Sequence, residues 1–381
     1  MNSWTQVLDS SNAELIEWAS AQDWARAMAR CGQDASWHAE GDVWTHVLMV
    51  CDALARLDDW PALDRHAQIQ LLFTAFLHDS GKPATTQLDP ASGRVRAPKH
   101  ALVGAGIARN VLRDLSCPIE RREEIVGLVR YHGRPPYLLE KPSPESTVIE
   151  TSWFANNRLL HLFALADGRG RSSVDPSEAR SEDALHLWRM VAEERHCLDA
   201  PYRFANDHAR FLFFRNELGS LHYTPHHEPS ATVTLLSGLP GSGKDTWLAK
   251  HRPTLPVVSL DAIRTDLDVS PTDEQGTVIQ EARERCREHL RAGRDFAFNA
   301  TNITRQTRQR WINLFHDYGA RIEIVYLEPT LETTLARNSR RQHPVPTRVI
   351  LHLAERVEPP TAAECHGLTL VGDPTCTAPQ S

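Results

Sequence analysis

The chain has 381 residues, more than the ~100–200 that one domain usually holds, so two domains are expected. With 41% apolar and 24% charged residues it can build packed cores, and no apolar run approaches the ~20 residues needed to span a bilayer. A net charge of −7 excludes a globally basic polyanion binder, and seven cysteines with no C-x-x-C pair exclude a disulfide framework or zinc knuckle and fit a reducing cytoplasm.

The opening stretch, MNSWTQVLDSSNAELIEWAS, has neither a basic region nor an apolar core, so no secretory signal is expected and the location is read as cytoplasmic. Residues 1 to about 220 read as mostly helical. Apolar residues recur at helical spacing in DVWTHVLMVCDAL, IQLLFTAFLHD, RREEIVGLVRYH and NNRLLHLFALADG. Prolines mark GRPPYLLEKPSPES, 133–146, as a loop, and HYTPHHEPSAT, 222–232, as the domain break. Between them, YRFANDHARFLFFR is expected to be a helical extension of the first domain.

His78-Asp79 ends an apolar helix and runs into SGKP, so both side chains can leave a helix terminus toward one point. His46 sits in an earlier helix and Asp167 ends a later one. Two imidazoles and two carboxylates make a mixed nitrogen–oxygen site suited to a divalent transition metal. Such a metal lowers the pKa of a bound water from 15.7 toward ~7. His100 and His132 offer ligands for a second metal, and Lys82 a contact to phosphate. A lone interior histidine is more often a hydrogen-bonded core group, and periodicity alone does not bring these residues together. A second pair, His316-Asp317, lies on an amphipathic helix beside a turn and reads as structural.

After the break the texture changes. TVTLLSG, LPVVSLD, DFAFNATN, ARIEIVYLEP and GLTLVG read as strands with helices between several of them, which implies a parallel α/β sheet. Between the first strand and its helix lies GLPGSGKDT, with Gly238, Gly241, Ser242, Gly243 and Lys244 in the spacing of a phosphate-cradling loop. Backbone N–H groups and the helix N-terminus favour an anion, and Lys244 reaches the β- and γ-phosphates. Asp245 stands where Ser or Thr is usual. Either its carboxylate holds Mg²⁺, or it caps the helix and Thr246 makes the contact. Asp261, just beyond the second strand, is placed to take a proton from an attacking hydroxyl, and Arg264, three residues on, to fork onto an acceptor phosphate. The alternative for that pair is an N-cap aspartate with a surface arginine. ARNSRRQHPVP brings Arg337, Arg340 and Arg341 together, the kind of cluster that stabilises phosphoryl transfer. Residues 281–350 hold 13 Arg, no Lys and 8 acidic residues, an excess of five positive charges that suits a polyanionic acceptor.

GLPGSGKDTW, SLDAIR, NATNITRQTRQRW and ARNSRRQHPVP resemble the P-loop polynucleotide kinase family, which phosphorylates 5′-hydroxyl ends of RNA or DNA. The resemblance implies that Lys244 binds phosphate, Asp261 is the general base, Arg264 and Asn302 bind the acceptor, and Arg337 and Arg341 are lid arginines. WTHVLMVCDAL, FLHDSGKP, KHALVGAG, RYHG and ALADGRG, over roughly 40–170, resemble the HD phosphohydrolase superfamily of helical metal enzymes. The expected architecture is therefore multidomain: an all-α HD-type domain with a helical extension over 1–225, then an α/β P-loop kinase domain with a parallel sheet over 229–381. The combination is similar to bacterial bifunctional HD–polynucleotide kinase enzymes that heal nucleic-acid ends. It implies NTP (ATP or GTP) with Mg²⁺ in one domain and one or two divalent transition metals in the other. It also implies RNA or DNA ends as substrates and a ligase acting downstream. The alternative left open is a nucleoside kinase joined to a nucleotide-cleaving or non-catalytic nucleic-acid-binding HD domain.

Overall fold

The computed structural model describes residues 1–34, 38–90, 93–172, 182–226 and 228–372, and it divides into two compact units, Met1–Arg203 and Phe204–Ser381. No helix among the described residues is long and apolar enough to cross a membrane.

The first unit is helical. It runs α1 (Trp4–Asp9), α2 (Asn12–Ser20), α3 (Asp23–Ala29), α4 (Val43–Ala55), α5 (Arg65–Leu77) and α6 (Lys82–Thr85). A short antiparallel pair, β1 (Gln87–Leu88) and β2 (Val95–Arg96), leads to α7 (His100–Asp114), α8 (Ile119–Tyr131), α9 (Pro144–Thr151), α10 (Asn157–Arg169) and α11 (Asp183–Glu194). The helices start where short polar side chains satisfy free N–H groups. Asp42 accepts from Trp44 N and Thr45 N ahead of α4, Asp64 from Ala67 N ahead of α5, and Asn156 from Leu159 N ahead of α10. Such caps are worth ~1 kcal/mol each. α5 is the axis of the unit. Every residue from Leu71 to Leu77 is buried, so the helix is covered on all sides, and it packs among α4, α7, α8 and α10. The expected loop at 133–146 contains a 3₁₀ turn, Pro135–Glu140, and gives way to α9 at Pro144. A proline in the first helical turn starts a helix rather than blocking it, because its missing N–H would have no partner there.

The second unit begins with α12 (Asp207–Phe214). The chain continues through β3 (Thr232–Ser237), α13 (Lys244–His251), β4 (Val257–Ser259), α14 (Leu260–Asp266), α15 (Gly276–Arg291) and β5 (Phe296–Asn299). It finishes with α16 (Arg305–Asp317), β6 (Arg321–Glu328), α17 (Leu331–Ser339), α18 (Thr347–Glu355) and β7 (Gly367–Gly372). All five strands foreseen in the sequence are present. They form one parallel sheet in the order β4-β5-β3-β6-β7. β3 is buried along nearly its whole length, as a central strand covered on both faces must be. From β3 the chain builds one side of the sheet and then crosses to the other. The carboxyl end of β3 is therefore the switch point where ligands sit in such folds. A core of Phe296, Phe298, Trp311 and Phe315 packs beneath it, with the Phe298 and Trp311 rings 4.1 Å apart.

The division between units falls before α12, about twenty residues ahead of the break placed at 225. α12 is not an extension of the helical unit. Phe211 is fully buried in the core of the sheet unit. Arg210 Nη2 donates to the carbonyls of Cys365 (3.1 Å) and His366 (2.6 Å), just before β7. His316, on α16, meets Glu217 Oε2 at 2.8 Å, which is the structural role read for it.

Candidate functional site

In the helical unit, the C-terminus of α5, the start of α7, the C-terminus of α8, the first turn of α4 and the end of α10 point at one place. Three histidines there use the same local device. The Nδ1–H of His78 donates to Ala75 O (2.9 Å), that of His100 to Ala97 O (2.8 Å), and that of His132 to Val129 O (2.8 Å). His46 Nδ1 lies 3.2 Å from Gly170 O and 3.2 Å from Glu40 Oε1. The carbonyls fix the Nδ1–H of His78, His100 and His132 and turn their Nε2 atoms inward, whereas, against the cost of burial, Asp167 and Glu40 raise His46 and favour its protonated ring.

The inward atoms crowd together at short range. His46 Nε2 lies 2.9 Å from Asp167 Oδ1, and His78 Nε2 lies 3.2 Å from Asp79 Oδ2 and 3.9 Å from Asp167 Oδ1. His100 Nε2 lies 3.4 Å from His132 Nε2 and 3.5 Å from Asp79 Oδ1. His78 Nε2 is buried without a hydrogen-bond partner. Lone pairs opposed at these distances need a proton or a cation between them, so the residues fit a metal. They form two triads, His46–His78–Asp167 and Asp79–His100–His132, each with its ligand atoms within 4.8 Å of one another. Asp79 reaches both. Burial pushes His132 down to about 3, with His78 and His100 adding to it, so its ring is neutral and ready to ligate. Burial would raise Asp79 and Asp167. Instead His78 and Lys82 hold Asp79, and Arg171 and His46 hold Asp167, well below the usual carboxylate range. A divalent metal bound here supplies Lewis acidity to a phosphate oxygen and acidity to a coordinated water.

Lys82 Nζ lies 2.7 Å from Asp79 Oδ2, at the edge of the imidazole–carboxylate cluster. Arg171 and Glu40 were not foreseen. Arg171 Nη2 bonds Asp167 Oδ2 at 2.5 Å, and its Nε is buried without a partner. Glu40 accepts from Ser172 N and Oγ and lies 2.7 Å from His38 Nδ1. The four-residue spacing of Asp167 and Arg171 on a helix end is a signal that could have found the arginine. Nothing local points to Glu40, whose partner His46 is held by Asp167 from 121 residues away.

In the sheet unit, the loop after β3 turns through Gly241 (φ 84°) and Gly243 (φ 98°), the left-handed region open to glycine. A Cβ on Gly241 would lie 2.6 Å from Thr334 O, so the loop is also too close to α17 for a side chain. Lys244 opens α13, and its Nζ donates to Gly238 O (2.8 Å) and Leu239 O (2.9 Å). Burial pushes this lysine down to about 8, against the opposing pull of Asp245 and Asp261. Ser242 Oγ is buried without a partner inside the same loop. Asp245 makes no cap: its Oδ1 accepts from Asn299 Nδ2 at 2.6 Å, which ties the carboxylate to the end of β5. Thr246 is exposed on the same turn of helix.

Asp261 is exposed at the end of β4. Its α-helix is capped by Ser259, through Ala262 N, so the N-cap reading of the aspartate does not apply. Arg264 Nη1 bonds Asp261 Oδ1 at 2.6 Å, and Arg341, from the segment after α17, approaches Asp261 Oδ2 at 3.8 Å. Arg337 donates to Ser242 O at 3.2 Å, so it leans on the phosphate loop. Lys244, Asp261, Arg264, Arg337 and Arg341 are thus gathered at the switch point. Asn302, expected to bind the acceptor, has a structural bond of its own. It is buried in the left-handed region (φ 47°), and its amide donates to Leu236 O at 2.8 Å. Its own carbonyl accepts from Ser237 Oγ (2.8 Å) and Arg308 Nη1 (3.1 Å). The residue fixes the loop after β5 to β3, and it also lines the cleft beside the phosphate loop.

A helical unit with paired imidazole–carboxylate triads is followed by a parallel sheet carrying a phosphate loop, the architecture of an HD-like domain ahead of a P-loop α/β domain. Residues 43–150 match the HD domain family and residues 233–360 match the AAA domain family. The chain is 34% identical over 161 residues to a multifunctional CCA protein of Halorhodospira halophila, across 40% of this chain and 35% of that one. It is 44% identical over 89 residues to a CC-adding tRNA nucleotidyltransferase of Thermus thermophilus, across 23% of this chain and 19% of that one. The chain thus spans about a third or less of these relatives' lengths. Among solved structures, a sugar kinase from a Janibacter species aligns at 18% identity and a TM-score of 0.28, covering 37% of this chain and 85% of that one.

Proposed function

We propose that this chain heals nucleic-acid ends. The sheet unit transfers the γ-phosphate of an NTP to a 5′-hydroxyl of RNA or DNA, and the helical unit removes 2′- or 3′-phosphates or opens a 2′,3′-cyclic phosphate. The observation that carries the reading is the pairing of two phosphate-directed centres in one chain. One is an inward-facing set of imidazole and carboxylate atoms that fits a divalent metal. The other is an exposed carboxylate, Asp261, flanked by Arg264 and Arg341 beside a lysine-bearing phosphate loop. Asp261 would accept the proton of the attacking hydroxyl, while Lys244, Arg337 and Arg341 would stabilise charge on the transferring phosphoryl group. In the helical unit, Lys82 and Arg171 would hold phosphate oxygens, and Asp79 and Asp167 would stay ionised to keep a metal in place.

The test is an end-group assay of the purified protein. Labelled NTP is supplied with a 5′-hydroxyl oligonucleotide or a nucleoside, and unlabelled oligonucleotides carry 3′-phosphate or 2′,3′-cyclic phosphate ends. Wild type should label the oligonucleotide and open or strip the 3′ ends. Lys244→Ala should lose only the first activity and Asp79→Ala only the second. Label on the nucleoside alone, or 3′ ends left untouched by the metal-loaded protein, would refute the reading.

A further inference from the structure

Beside the kinase centre lies a cleft of about 320 Å³, within the ~300–1,000 Å³ range of ligand pockets. Its floor is the loop 300–304 after β5, and its walls come from α14, α15, α16 and α18. The cleft is continuous with the phosphate loop. Gly238 N donates to Thr301 O at 2.9 Å, and Leu260, in the cleft wall, immediately precedes Asp261. Arg308, fully buried against Glu364, bonds the carbonyls of Asn302 and Glu358 and so holds this floor rigid.

The charge in the cleft is one-sided. Arg283, Arg310 and Arg356 line it, and no Asp or Glu does. All three are exposed and form no ion pair among the described residues. Their neighbours on α15 behave differently: Arg285 is paired with Glu281 and Asp266, and Arg287 and Arg291 both meet Glu284. The arginines facing the cleft are those left uncompensated. Between them the wall is apolar, with Leu260, Ile279, Ile303 and Leu353. Uncompensated guanidinium groups spaced around an apolar trough suit a flexible chain of phosphates carrying flat apolar faces.

We infer that this cleft holds the acceptor strand beyond its 5′-terminal nucleotide. Arg283, Arg310 and Arg356 grip its phosphates, and they make the kinase select a single-stranded polynucleotide over a mononucleotide. The proposal rests on the kinase reading above and adds the feature that sets acceptor length.

The test compares wild type with the triple variant R283A/R310A/R356A and its Lys counterpart, R283K/R310K/R356K. All three side chains are exposed, so the fold should be retained, as circular dichroism would check. KM is measured for a 5′-hydroxyl, 3′-hydroxyl ten-mer and for a nucleoside 3′-monophosphate. Fluorescence anisotropy gives the Kd of the same ten-mer without turnover. The Ala variant should raise KM and Kd for the ten-mer at least tenfold and leave KM for the mononucleotide and for NTP unchanged. The slope of log affinity against log salt should fall by about 0.7 for each phosphate no longer neutralised. The Lys variant should recover most of the binding. Unchanged ten-mer binding, or an equal loss on both acceptors, would overturn the proposal. If wild type binds the ten-mer through these arginines yet phosphorylates neither acceptor, the cleft stands as a strand-binding site and the end-healing reading fails.

Discussion

Lys244 is poised to make nucleotide affinity fall in mildly alkaline solution. In the free protein its pKa lies at about 8, because burial in the loop weakens the ammonium more than Asp245 and Asp261 strengthen it. A bound polyphosphate adds negative charge and raises that value. Binding strength that depends on the ammonium is therefore fully present below pH 8, and it is lost as pH climbs through 8 toward the raised value of the complex. At pH 9 about one-tenth of the free lysine is protonated, so apparent affinity should drop about tenfold from its pH 7 value, or ~1.4 kcal/mol. Isothermal titration with NTP and Mg²⁺ in two buffers of different ionisation enthalpy reads this directly. Wild type should take up close to one proton per nucleotide at pH 9 and almost none at pH 7. In Lys244→Arg the guanidinium stays charged, so whatever affinity remains should be flat across this range. A buffer-independent heat at pH 9, or a slope that persists in the Arg variant, would refute the reasoning.

Three further outcomes are expected. Glu40→Ala should weaken metal binding by the helical unit about 10–100-fold, because an outer partner that orients a ligating imidazole has effects of that order; Glu40→Gln should recover part of it, and metal content after dialysis decides. If Asp245 ligates Mg²⁺, kinase activity should survive Asp245→Ser and not Asp245→Ala, and Asn299→Ala should raise the Mg²⁺ concentration needed; equal activity of both Asp245 variants would assign the residue no metal role. Phe211→Ala should destabilise the sheet unit by about 3–5 kcal/mol, as for other buried phenylalanines, and a fragment beginning at 204 should melt higher than one beginning at 229.

Much of this molecule was legible in its amino-acid order. The central strands β3, β5 and β6 could be read because buried parallel strands are continuous apolar runs, and the phosphate loop because its glycines are dictated by backbone conformation rather than by distant partners. The His78-Asp79 corner was legible for the same reason: a helix end forms it locally. What escaped was non-local. Glu40 meets Ser172 across 132 residues, and no periodicity announces that. α12 carries an ordinary amphipathic pattern, which says that one face is buried but not against which core. Asn302 lies in the expected post-strand loop, but its φ of 47° and its bond to Leu236 are displayed by no motif.

Three of the four imidazoles in the helical unit take their aim from a carbonyl only three residues earlier, while His46 takes its aim from Gly170 and Asp167, at the far end of the domain. Fraying of that one helix end would loosen His46 and Asp167 together and leave the other three rings set like teeth in a jaw. Release of a metal held there is expected to follow the local stability of the last turn of α10 rather than unfolding of the whole unit.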